Sequence, residues 1–353
     1  MKQFGTSRVP RKEQASIADV ARLAEVSLGT VSNALNRPQI VSAKTLVRVQ
    51  KAIEDLGYSR NSNASALARG HSQTVGLVLI SLDNSMFIDI ARGAQRTARK
   101  AGMYLQLAAA DDDPELLDAH MNVLNEERAA GLMIAPLHDH ELSIERSRRA
   151  GCPVVEINYN APDRESCRVL IDNEQAGYVA AKHLISLGRL HLCLVLSRQD
   201  YQPIIDRRTG VRRAVAESSG NVTLTELWTD GLDPEFGVLA AQELCGRPAS
   251  LRPDAVLAVT DMLAMAIINE LSLQGLSVPE DIAVMGCDHN SSAWGGFIAL
   301  SSVTMNGVDL GEKAISLLLA ELQEDPSEHV HQTIMLEPEI VPRESTIGRN
   351  RTD

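Results

Sequence analysis

Apolar residues recur at helical spacing near the start of the chain and in short blocks farther on, and that change of rhythm divides it. Ile17, Val20, Ala21 and Ala24 stand at i, i+3, i+4 and i+7, the apolar face of a short first helix, and Ser16 with Asp19 forms an S-x-x-D capping box before it. Glu25-Val26 turns the chain. Ser27 caps a second helix in which Val31 and Leu35 point inward while Leu28, Gly29, Ser32 and Asn33 point away. Ser42 caps a third, whose Leu46, Val49, Ile53 and Leu56 form the buried stripe and which Gly57 ends. Three short helices around a small core predict a helix-turn-helix domain over residues 15–58, whose second helix would enter a DNA major groove.

Beyond residue 74 short apolar runs alternate with amphipathic helices. Strand VGLVLI (75–80) precedes helix 88–101 and strand YLQLAAA; helix 114–130 leads to GLMIAP, and helix 141–150 to PVVEIN. RVLIDN precedes helix 174–187, and LCLVLS precedes helix 207–219. Helix 234–246 leads to AVLAVT, helix 261–274 to DIAVMGC, and helix 308–323 comes late. This is the signature of α/β structure with parallel sheets covered on both faces. Residues 1–14 are polar and basic and predict a disordered tail. Residues 59–73 are small and polar, with Leu67 as the one large apolar side chain, and predict a linker.

Charge changes the picture. The net charge of −12 argues against nucleic acid, yet residues 1–72 hold eleven Lys and Arg against five Asp and Glu, and the remainder holds 23 against 41. A basic head on an acidic body matches a DNA clamp carried by a sensor. No run of eighteen apolar residues and no apolar leader core is present, so a cytoplasmic protein without membrane contact is expected, nucleoid-associated when bound to its operator. Cys152, Cys167, Cys193, Cys245 and Cys287 are odd in number and scattered, which predicts reduced, buried thiols. HDHE (138–141) lacks further ligands at helical spacing and reads as a polar loop. DDDPE (111–115) lacks the glycine and terminal Glu of a calcium loop and begins a helix. With no G-x-S-x-G, P-loop or G-x-G-x-x-G, neither catalysis, a cofactor nor a metal is expected.

The stretches IADVARLAEVSLGTVSNALN, VSAKTLVRVQKAIEDLGY, NASALARG, VPEDIAVMGCD and VPREST resemble the lactose/galactose repressor (LacI/GalR) family of bacterial transcription regulators, over about residues 16–347. The resemblance implies a periplasmic-binding-protein-like sensor over 74–348, built of two α/β lobes. The N-lobe would take about 74–171 and 301–325, the C-lobe about 172–300 and 330–348, with crossings near 171–173, 299–302 and 324–332. It also implies a homodimer reading a pseudo-palindromic operator on double-stranded DNA, most commonly as a repressor, under allosteric control by a small-molecule effector.

In the head, Leu28 can touch a thymine methyl and Asn33 can pair bidentately with adenine, where many relatives carry Arg. Gly29 permits close backbone approach. Ser27, Thr30, Ser32, Asn36, Lys44 and Thr45 are candidates for phosphate contact. In the linker the resemblance implies that NASALARG folds on DNA, with Leu67 wedged into the minor groove, Ala64 at a close helix pairing, and Asn61 and Arg69 at the backbone or groove. In the sensor it matches Arg207, at the start of a helix after the loop SRQDYQPIID, and Asp288, at the end of a strand, to positions that hold effector hydroxyls or polar ring atoms. Ser81, Leu82, Phe87, Pro136, Asn158, Trp228 and Thr260 are further cleft candidates, Trp228 as a stacking face. A sugar or sugar phosphate suits this set. A nucleobase or nucleoside acting as corepressor is the alternative, and a solute-binding protein is the alternative from another class.

Overall fold

The computed structural model describes residues 15–58, 72–160, 166–198, 201–218, 220–289 and 297–348. The disordered tail expected over 1–14 lies outside them, as do linker residues 59–71. The chain divides into two units, Met1–Ser72 and Gln73–Asp353.

In the first unit, α1 (Ile17–Leu23), α2 (Leu28–Asn36) and α3 (Ala43–Leu56) enclose Val20, Ala21, Ala24, Val31, Ala34, Val49 and Ala52. All three expected serine caps form. Ser16 Oγ accepts from Asp19 N while the Asp19 carboxylate accepts from Ser16 N at 3.0 Å; Ser27 Oγ accepts from Thr30 N at 3.1 Å; Ser42 Oγ accepts from Thr45 N at 3.2 Å. Each satisfies a donor the helix itself leaves orphaned. Gly57 ends α3 in the left-handed conformation, φ 58°. Leu35 is partly buried and packs against this core, of which Ala34 is a buried member.

The second unit is built on two six-stranded sheets. Its elements run β1 (Thr74–Leu79), α4 (Ser85–Lys100), β2 (Tyr104–Ala109), α5 (Pro114–Glu126), β3 (Leu132–Ala135), α6 (Glu141–Arg149), β4 (Val154–Ile157), β5 (Cys167–Ile171), α7 (Asn173–Ser186), β6 (His191–Ser197), α8 (Gln202–Ala216), β7 (Thr223–Thr229), α9 (Pro234–Gly246), β8 (Ala255–Ala258), α10 (Asp261–Leu273), β9 (Ala283–Asp288), β10 (Ser301–Thr304), α11 (Gly307–Glu321), β11 (Thr333–Leu336), β12 (Glu339–Val341) and α12 (Glu344–Ile347). The first sheet has the order β11-β5-β4-β3-β1-β2 and is parallel throughout. The second has the order β12-β10-β9-β8-β6-β7 and is parallel except for β12. The central strands are almost wholly buried, as parallel sheets covered by helices must be, whereas edge strands β2 and β11 keep exposed positions.

The chain passes between the sheets three times. The first crossing, after β5, is at Asp172, within the range expected. The other two differ from expectation. Ser301–Thr304 belongs to the second sheet, beside β9, so that crossing falls at 305–306; Thr333–Leu336 belongs to the first, beside β5, so the last falls at 337–338. The lobe segments are therefore 74–171 with 307–336, and 173–304 with 339–348. The shift arises because β10 and β11 are four-residue strands held by ladder pairing to distant partners, a property their local composition does not carry.

Each lobe contains a helix pair whose backbones approach within 2.0 Å of a Cβ added at either glycine. A Cβ at Gly177 of α7 would lie 1.9 Å from the Arg207 carbonyl oxygen, and one at Gly210 of α8 would lie 1.8 Å from that of Glu174. Gly93 of α4 and Gly311 of α11 stand in the same relation: a Cβ added at either would lie 2.0 Å from the carbonyl oxygen of Val308 or of Ile90, respectively. Among the described residues no helix is long and apolar enough to cross a membrane.

Candidate functional site

Two candidate sites stand out, one in each unit. On the head, the capped end of α2 is open to solvent. Ser27, Leu28, Gly29 and Asn33 are exposed, and Leu28 is 53% exposed although it is a large apolar residue. An apolar side chain left out of a small core beside a polar one, at a helix N-terminus, is suited to a base edge. Several of the other expected DNA contacts are engaged within the head. The Thr30 hydroxyl lies 2.9 Å from Ser27 Oγ, Ser42 Oγ donates to Thr45 Oγ1 at 2.9 Å, and Asn36 Nδ2 donates to the Ser32 carbonyl at 2.9 Å. Lys44, on the first turn of α3, is exposed. Asn61, Ala64, Leu67 and Arg69 lie outside the described residues.

In the second unit the carboxyl ends of both sheets face a cavity of about 500 Å³. Loops emerge there because every strand of a βαβ unit runs toward the same edge, and ligand sites of doubly wound sheets form at that edge. The first lobe contributes Ser81, Asn84 and Phe87 from the turn after β1 and the start of α4, Asp111 and Asp112 after β2, Pro136 after β3 and Asn158 after β4. The second contributes Tyr201 and Arg207, Asp230–Asp233 after β7, Phe236, Thr260 and Asp288.

Arg207 and Asp288 form the polar floor. Each is about 95% buried, with Arg207 Nη2 3.3 Å from Asp288 Oδ1. Arg207 Nε also donates to Asn173 Oδ1 at 3.0 Å and Nη1 to the Val259 carbonyl at 2.5 Å. Asn173 Nδ2 in turn donates to Asn158 Oδ1 at 2.9 Å. Burial pushes the Asp288 carboxyl up; the Arg207 guanidinium and the Asn84 amide, which donates to Oδ2 at 2.8 Å, pull against it. Asn158 and Asp288, both lining the cavity, have positive φ, at 55° and 110°. Non-glycine residues in that region are strained, and here the strain is held at the cavity wall.

Hydrogen bonds already span the cleft: Asn84 to Asp288, Asn173 to Asn158, Tyr201 Oη to the Asp112 carboxylate, and Asn160 N to Gln202 Oε1 at 3.2 Å. Among the described lining residues are seven acidic residues, six of them exposed, and one arginine, Arg207.

Seven of the nine expected cleft residues line this cavity. Leu82 does not; the Asp83 N–H turns back onto Ser81 Oγ, at 3.0 Å, and leaves Leu82 outward and 45% exposed. Trp228 does not either. It lies inside β7, and the pleat sends its ring against α8, where the Arg208 guanidinium sits 4.7 Å from the ring centroid. Arg207 stands in the second turn of α8 rather than at its start, because Gln202-Pro203 already begins the helix. The residues missed by the sequence reading include Asn84, Tyr201, Phe236 and the acidic loop residues. Asn84, which caps α4, was legible as an N-cap.

Residues 16–61 match the lacI family of bacterial regulatory proteins, and residues 181–346 match the periplasmic binding protein-like domain. The chain is 27% identical over 341 residues to the HTH-type transcriptional repressor PurR of Aliivibrio fischeri (strain MJ11), covering 95% of this chain and 99% of that one. Among solved structures, the transcriptional regulator CelR–cellobiose complex superposes with a TM-score of 0.68 at 26% identity, over 94% of this chain and 99% of that one. The lac repressor dimer bound to operator and the anti-inducer ONPF superposes with a TM-score of 0.79 at 22% identity, over 95% and 99%, a likeness of fold.

Proposed function

From the premise that the chain belongs to the lacI family of bacterial regulatory proteins, as a DNA-binding repressor with an effector-binding sensor and not an enzyme, we propose that it acts as a homodimer on a pseudo-palindromic operator and that its effector is a neutral sugar. Two heads related by a two-fold axis read two half-sites, with Leu28 and Asn33 at base edges and Lys44 at phosphate. The site of action is the cytoplasmic nucleoid.

The observation that carries the effector assignment is the charge of the cavity. A phosphate ester would enter past six exposed carboxylates and find, among the described lining residues, one guanidinium, already paired to the buried Asp288, so no unpaired cation receives its charge. Adjacent neutral hydroxyls instead donate to Asp288 and accept from Arg207, while Phe87, Tyr201 and Phe236 offer apolar faces. The same aromatic faces favour a nucleobase or nucleoside as the second reading. Effector binding alters operator affinity only through its different affinity for the two lobe arrangements.

Fluorescence anisotropy of the full-length protein on a palindromic duplex pool, with and without free sugars, their phosphate esters and nucleobases, tests both parts. A free sugar is expected to change operator affinity, and its phosphate ester to bind at least about tenfold more weakly, a difference of about 1.4 kcal/mol. Duplex binding absent at low ionic strength would sink the DNA assignment. A phosphate ester binding more tightly than its parent sugar would sink the effector assignment alone.

A further inference from the structure

Away from the cleft, at the opposite end of β5, four metal-capable side chains converge: Cys167 at the start of β5, Glu321 at the end of α11, and His329 and His331 in the segment leading to β11. Their donor atoms all lie within 4.8 Å of one another. Cys167 Sγ is 3.2 Å from His329 Nε2 and 3.8 Å from His331 Nδ1, and His329 Nε2 is 3.6 Å from Glu321 Oε2. A tetrahedral ion with bonds of about 2.0–2.3 Å sets its ligand atoms roughly 3.3–3.7 Å apart, so three of these separations already approach the edges of such a tetrahedron.

The hydrogen bonding points the same way. His329 Nδ1 lies 2.6 Å from Glu324 Oε2, so its proton sits on Nδ1 and Nε2 presents a lone pair. That lone pair accepts from the Cys167 thiol at 3.2 Å, and beside it lies Glu321 Oε2, a buried oxygen with no hydrogen-bond partner, on a side chain only 9% exposed. A buried carboxylate oxygen left without a donor is costly, and a cation taking the place of the thiol proton would satisfy it together with Nε2. The carboxylate behind His329 is the usual device for orienting a metal-bound imidazole.

We propose that Cys167, Glu321 and His329 bind a zinc ion, with His331 as fourth ligand. The mixed thiolate, imidazole and carboxylate set suits zinc better than calcium or magnesium. The ion pins the segment between α11 and β11 to the first sheet. Arg148 is its resident competitor: Nη2 lies 2.9 Å from Glu321 Oε1 and 2.8 Å from His331 Nε2, and it must release His331 for Nδ1 to bind.

Cobalt(II), then zinc(II), titrated into chelator-stripped full-length protein tests this. One equivalent of cobalt is expected to give a thiolate-to-metal charge-transfer band with intense tetrahedral d–d absorption, displaced by zinc. Cys167→Ser should remove the charge-transfer band, Cys152→Ser in the same lobe should keep it, Glu324→Gln should weaken binding about 10–100-fold, and Arg148→Met should tighten it. Wild-type protein lacking the band, or a band that persists in Cys167→Ser, overturns the proposal. If Cys167→Ser fails to fold, the wild-type spectrum and Glu324→Gln decide: a band with unchanged affinity in Glu324→Gln counts against the site.

Discussion

Replacing Arg207 by methionine removes the one cation on the cavity floor while keeping most of the side-chain volume. Asp288 then stays buried with the Asn84 amide as its remaining partner described here, and Asn173 Oδ1 and the Val259 carbonyl each lose a donor. Breaking a buried pair from one side costs about 3–5 kcal/mol. For a unit of this size that corresponds to a fall in melting temperature on the order of 6–20 °C. The loss depends on pH with a definite sign. Without Arg207 the folded-state pKa of Asp288 rises further above its unfolded value, so the carboxyl takes up a proton in the folded protein. Its contribution is then present at low pH and lost as pH rises through that folded value, which makes the deficit of Arg207→Met larger at pH 8 than at pH 5. Thermal melts of effector-free protein followed by circular dichroism measure this. Arg207→Met with Asp288→Leu should recover most of the loss, because no charge is left stranded. If the single variant melts like the parent, or the double variant loses the sum of both singles, Arg207 and Asp288 are not a coupled pair. Arg207→Met should also lose its effector response while the head still binds operator.

Asn33→Ala should cost about 1–3 kcal/mol at one base pair of each half-site and relax specificity there; titrations against single-substitution operators that show a uniform loss would move Asn33 to phosphate contact. Gly177→Ala should push α7 from α8 and destabilise the sensor by about 1–3 kcal/mol, since the new methyl meets the Arg207 backbone; an unchanged chemical-denaturation midpoint would show that the helices separate at no cost. Burial holds His183 on α7, 3.0 Å from Thr346 Oγ1, below its usual 6.5. Its neutral form is stabilising, and that contribution is present above the unfolded pKa and lost as pH falls below it. His183→Gln should therefore flatten the decline of sensor stability below about pH 6.5; parallel stability–pH curves would rule His183 out.

The head was legible nearly to the residue because its information is local. Ser16, Ser27 and Ser42 each bond a backbone amide three positions on, and Gly57 supplies a conformation that costs other residues energy. The alternation of buried strands and helices in the sensor was equally plain. β7, whose sequence TLTELWT alternates polar and apolar residues, and the short strands β10 to β12 were not, since ladder pairing to distant partners holds them. The cleft was readable where residues follow a buried strand, as at Ser81, Pro136, Asn158 and Asp288. It was unreadable at Tyr201 and Phe236, which reach the cavity from the N-cap of α8 and the first turn of α9. Trp228 was misplaced because its stacking chemistry says nothing about which side of a pleat it occupies. Cys167 and His329, 162 positions apart, share no local signal at all.

The four glycines at the two helix crossings have a mechanical consequence. Where main chain rests directly on main chain, no rotamer can swing to absorb displacement, so α7 and α8 move as one stiff plate and α4 and α11 as another. Deformation imposed on the sensor is thereby concentrated in the three thin ribbons at 172, 305–306 and 337–338, and a small tilt there is carried undamped to the far rim of each plate.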